Sequence, residues 1–118
     1  MATTELAALQ RRYQASRKQL LQVGLIASGS LLQRYTVCTN AGCRCHHAPA
    51  QRHGPYWQYT RKINGKTVTA RLTNEQAERY REWIDNRRKL DQIIAEMDEL
   101  SRQIRDLLLA QSQETSRR

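Results

Sequence analysis

At 118 residues, with 39% hydrophobic side chains and no phenylalanine, the chain is sized for one small domain whose limited core would gain from a local staple. Twenty Lys and Arg against eleven Asp and Glu leave a net +9, which points to a polyanionic partner, either nucleic acid or an anionic membrane surface. The apolar run "VGLIA" at 23–27 is too short for a signal peptide's hydrophobic region or a bilayer span, so no membrane segment is expected and a cytoplasmic location is.

The first predicted element is a helix over residues 1–28. Leu6, Leu9, Tyr13, Leu20 and Val23 recur at amphipathic spacing, with Ser16 the one polar position in the stripe, and "SGS" at 28–30 ends it with Gly29 as C-cap. Residues 29–72 read as short strands and loops. From 28 to 72 there are seven basic and no acidic side chains, so the charge excess concentrates here. Residues 73–112 form a long helix, opened by the capping-box spacing of Thr73 and Gln76 and running to about Ala110, followed by a disordered tail at 113–118.

In that long helix Trp83, Leu90, Ile93, Met97, Leu100, Ile104 and Leu107 fall on alternating three- and four-residue steps, a heptad seam in which only Asn86 is polar. The first helix carries the same alternation. The expected architecture is therefore α+β and mainly helical: an antiparallel coiled-coil hairpin of the two terminal helices, with a small β-hairpin module at its tip. The longer arm overhangs the shorter, leaving "LLL" at 107–109 for a homodimer contact or a frayed end.

All three cysteines, Cys38, Cys43 and Cys45, lie in eight residues with the spacing C-x4-C-x-C, and His46, His47 and His53 follow at once. An odd number of clustered thiols in a reducing compartment fits metal ligation better than disulfides. Cys38, Cys43, Cys45 and His53 supply the thiolates and imidazole that tetrahedral zinc prefers, and such a site would staple the loop to the hairpin entry. His46 and His47 compete for the fourth position, although either would crowd three ligands into a very short stretch. A catalytic zinc usually needs a carboxylate base, and 28–72 has none, so an enzyme is not expected.

Asn64-Gly65 between two β-prone runs is a hairpin signature, because both turn positions of a type I′ turn require positive φ. With Ile63 and Lys66 flanking the turn, Trp57, Tyr59 and Ile63 share one face with Val68, Ala70 and Leu72. Gln58, Thr60 and Lys62 share the other with Thr67, Thr69 and Arg71. That polar face suits a two-stranded ribbon entering a major groove, reading bases through Gln, Thr and Arg, while Arg34, Arg44, Arg52, Arg61, Lys62, Lys66 and Arg71 meet phosphates.

The segments "GSLLQRYTVC", "GCRC", "HGPYW" and "RKINGKTVTARL", ahead of a helix containing "NRRKL", resemble a family of small bacterial proteins with the motif order G-S-L, R-Y, C, G-C-R-C, H-G-P-Y, G-K. The resemblance spans about residues 29–100. It implies a zinc module between helices, favours His53 over His46 and His47 as the fourth ligand, and implies association with mobile genetic elements. The expectation is a non-enzymatic protein with a structural Zn2+ that binds nucleic acid, DNA ahead of RNA, as an accessory or regulatory factor. The alternative is a coiled-coil adaptor for a partner protein, with the zinc module as a folded cap.

Overall fold

The computed structural model describes residues 2–116. Its elements run α1 (Ala2–Leu20), β1 (Ser30–Thr36), β2 (His53–Ile63), β3 (Lys66–Leu72) and α2 (Asn74–Ser116), with single-turn 3-10 helices at Arg44–His46 and Pro49–Gln51. This α+β chain divides into two compact units, Ile26–Asp85 and the flanking residues on either side of it. Among the described residues no helix is long and apolar enough to cross a membrane.

In the helical unit, burial follows the apolar stripes. Leu6, Leu9 and Ser16 are buried on α1, and Ile93 and Leu100 on α2, with Leu90, Met97, Ile104 and Leu107 half-buried between and beyond them. Gln10, Tyr13 and Gln14 line a cleft with Ser101, Ile104 and Arg105, while Gln19, Gln22 and Val23 line another with Asn86, Lys89 and Ile93. The helices therefore run in opposite directions, with residues 10–14 near 101–105 and residues 19–23 near 86–93. Of the "LLL" run, Leu107 is half-buried and Leu108 and Leu109 are exposed, as expected for an end that α1 leaves partly uncovered.

The first helix is shorter than expected. It ends at Leu20, not near residue 28, and its last turn tightens as the amides of Leu21, Gln22 and Val23 donate to the carbonyls of Lys18, Gln19 and Leu20. Past that point Asn86, the polar residue of the α2 stripe, donates through Nδ2 to the Leu25 carbonyl at 2.8 Å. A side chain at Gly24 would come within 3.0 Å of the same amide nitrogen. A helical course cannot bring the Leu25 carbonyl to Asn86, because the carbonyl would be turned toward its own helix.

The other unit is a three-stranded antiparallel sheet in the order β1-β2-β3, with the start of α2 packed on one face. Ile63 pairs with Lys66 and the register continues through Tyr59–Ala70 to Trp57–Leu72, as the Asn64-Gly65 turn predicts; Asn64 and Gly65 both have positive φ, 52° and 80°. The hairpin is not a free two-stranded ribbon. β1 pairs along the other edge of β2, from Ser30–Thr60 to Thr36–His53, with an irregularity between Arg34 and Thr36. Gly29 is not a helix C-cap but the lead-in to β1: its φ of 127° carries the backbone so close to the Thr60 carbonyl that no Cβ fits.

The capping box forms as its spacing predicts. The Thr73 amide donates to Gln76 Oε1 at 2.9 Å, and the Gln76 amide to Thr73 Oγ1 at 3.2 Å. Within the sheet unit Ala77 and Ile84 are buried and the Tyr80 ring lies 4.3 Å from that of Tyr59, a second apolar stripe on α2 beside the heptad positions. The helix continues past Ala110 to Ser116, since the sequence there offers no Gly or Pro to stop it; of the tail expected to be disordered, 117 and 118 lie outside the described residues.

Candidate metal centre and basic sheet face

Strand pairing creates the cysteine site. Because Thr36 at the end of β1 pairs with His53 at the start of β2, Cys38 leaves the sheet where His53 enters it. The intervening loop returns in two tight steps: the Cys43 amide donates to the Asn40 carbonyl at 3.1 Å, and the Gly42 amide to Asn40 Oδ1 at 3.1 Å. Cys43 then caps the short helix that carries Cys45.

One ligand atom from each of Cys38, Cys43, Cys45 and His53 lies within 4.8 Å of every other. The Cys38 and Cys45 sulfurs are 3.6 Å apart, and Cys43 Sγ is 3.4 Å from His53 Nε2. A tetrahedral ion bound at about 2.3 Å to sulfur and about 2.05 Å to nitrogen has S···S edges near 3.8 Å and S···N edges near 3.5 Å, so the cluster has the dimensions of a four-ligand metal site. The sulfurs are far beyond the roughly 2 Å of a disulfide, and all three thiols are free. His46 and His47 are exposed and stand outside the cluster.

Local electrostatics favour a thiolate at Cys43. A backbone hydrogen bond from Cys45, then the thiols of Cys45 and Cys38 and the His53 imidazole, draw its pKa down to about 6. Burial pushes the Cys45 thiol up, although the Cys38 amide donates to its sulfur at 3.3 Å. These groups can hold a metal ion: Cys45 is 2% exposed and forms the floor, Cys38 and Cys43 the half-buried walls, and His53 the outer edge.

The eleven residues expected to meet nucleic acid all lie in this unit, but not on one surface. Cross-strand register puts Arg34 with Tyr56, Gln58 with Arg71, Thr60 with Thr69 and Lys62 with Thr67 on the outer face, and adds Ser30 and Leu32 from β1. Thr60 and Thr69 touch through their hydroxyls at 3.4 Å, and the Arg71 guanidinium lies 4.2 Å over the Tyr56 ring. Arg61 and Lys66 occupy the inner face, while Arg44 and Arg52 are exposed on the cysteine loop. Sequence reasoning placed Trp57 and Tyr59 on the inner face but missed Tyr80, whose ring lies against Tyr59, and missed Tyr56 as the platform for Arg71; for Tyr56 the signal was the aromatic density of "PYWQY".

This is a small α+β protein whose defining local feature is a Cys3His cluster at the mouth of an antiparallel sheet. The chain belongs to the DUF6788 family, a domain of unknown function whose model matches residues 4–82. No curated protein and no solved structure matches it significantly.

Proposed function

We propose that the chain is a non-enzymatic nucleic-acid-binding protein, with DNA the expected ligand, whose sheet unit is stapled by structural zinc on Cys38, Cys43, Cys45 and His53. The donor set supports zinc: three thiolates and an imidazole fill four positions and leave none for substrate. The observation that carries nucleic-acid binding is the outer sheet face, where Arg34, Lys62 and Arg71 stand among Gln58, Thr60, Thr67 and Thr69 in a stretch without one carboxylate side chain. Basic groups with neutral hydrogen-bonding groups between them are what phosphates and base edges require. The two antiparallel helices pack as a coiled-coil hairpin, and the role as accessory factor of a mobile genetic element rests on the motif resemblance alone.

A coiled-coil adaptor is the second reading, favoured by the exposed Ile94, Leu108 and Leu109 on α2. Fluorescence anisotropy with duplex DNA over a salt series separates the two. The first reading expects affinity to fall steeply with salt, and Arg34→Ala/Lys62→Ala/Arg71→Ala to reduce the slope by about 0.9 for each phosphate no longer neutralised. Salt-independent binding, or none at low salt, would sink it and leave the adaptor.

A further inference from the structure

The inner face of the sheet carries a cleft that shares only Lys62 with the outer-face reading. Between the end of β2, the irregular segment at residues 26–28 and the first turns of α2 lies a cleft of about 390 Å³, within the size range of small-molecule sites. Its floor is aromatic. Tyr59 and Tyr80 are 4.3 Å apart at a tilt of 36°, and Tyr80 meets Trp83 edge-on at 5.0 Å. Tyr59 is buried and its hydroxyl donates to the Ser28 carbonyl, which fixes the floor, whereas Tyr80 and Trp83 keep part of their rings open to the cleft.

Its rim is cationic. Arg61 lines it from the inner face and Lys62 from the hairpin edge, no carboxylate does, and neither residue is in an ion pair among the described residues. The Arg61 guanidinium is close enough to Tyr59 to oppose the rise in its pKa that burial causes. A cavity lined by aromatic rings and two cations is complementary to a flat ring attached to an anion.

We infer that this cleft takes a single unpaired nucleobase, stacked on Tyr80 and Trp83, with its phosphate held by Arg61 and Lys62. The inference rests on the nucleic-acid reading and makes it narrower: the preferred ligand has unpaired bases, because a base inside a duplex cannot present its face to an aromatic floor. Lys62 sits at the hairpin edge, so a strand lying along the outer face can pass its phosphates around that edge to Arg61.

The experiment compares a labelled oligothymidylate with its duplex, using full-length zinc-loaded protein, with Trp83 emission followed in a Trp57→Phe background. The single strand should bind more tightly and quench Trp83. Tyr80→Leu should weaken single-strand binding about 5- to 100-fold, the worth of one stacked base, and leave duplex affinity unchanged. Arg61→Gln, an exposed substitution that spares the fold, should lower the single-strand salt slope by about 0.7. If single-strand affinity is the same in wild type, Tyr80→Leu and Arg61→Gln, with no change in Trp83 emission, the cleft assignment is overturned and outer-face binding stands. Binding to neither ligand at low salt removes both.

Discussion

Three histidines lie within eight residues of one another, and position in the fold separates them. His46 ends a single-turn helix with its side chain in solvent, and His47 follows it, whereas His53 is held by its pairing with Thr36 and brings Nε2 to 3.4 Å from Cys43 Sγ. Strand pairing is a stiffer constraint than loop geometry, so the imidazole that the sheet fixes loses the least entropy on coordination. His53→Ala should therefore lose the metal, and His46→Ala/His47→Ala should keep it. Native mass spectrometry reads both at once, and a metal-free double variant beside a loaded His53→Ala would reverse the assignment. Glycine acts at the same scale: Gly29 lets β1 begin against Thr60 at a φ that other residues rarely adopt.

At the scale of elements, the hairpin and the start of α2 are specified locally. Asn64-Gly65 sets the turn, the turn sets the register, and the register sorts threonines to one face and Tyr59 to the other. Thr73 and Gln76 satisfy two amides at the start of α2 that otherwise have no helical partner. Thr73→Ala should cost about 1 kcal/mol in urea unfolding, and Thr73→Ser should restore most of it. An unchanged midpoint in Thr73→Ala would mean that Tyr80 packing on Tyr59 alone sets the helix start. β1 was not legible, because its side chains alternate Ser30, Leu32 and Arg34 against Leu31 and Gln33 and so show no polar-to-apolar period. The end of α1 was hidden for another reason: the Leu25 carbonyl finds its partner on Asn86, 61 residues away.

At the scale of the molecule, a sheet unit of about 60 residues with few buried side chains would gain stability from the proposed metal staple. Among the described residues Cys45, Tyr59, Ala77 and Ile84 are its buried hydrophobics, a small core for that length. Structural zinc binding is worth on the order of 10 kcal/mol, so a chelator should lower the Tm by roughly 20 °C or more and collapse the near-ultraviolet signal of Trp57 and Tyr59. An unchanged melting curve after verified metal removal would count against a structural metal. The acid-free stretch from 28 to 72 places the positive charge in this same unit, and the outer-face residues Arg34, Lys62 and Arg71 become neighbours only once β1, β2 and β3 are in register.

The chain's own order determined what neighbouring residues can decide between themselves: the turn and its register, the capping box, the apolar stripes of both helices, the position of the charge and the C-x4-C-x-C cluster. Tertiary structure decided what depends on residues distant in sequence: the third strand, the early end of α1, the meeting of His53 with Cys43, and the cleft where Tyr80 and Trp83 face Arg61. Local patterns record propensity and period, but a contact across many residues leaves no period behind, since its free energy comes from surfaces that adjoin only after the chain has folded.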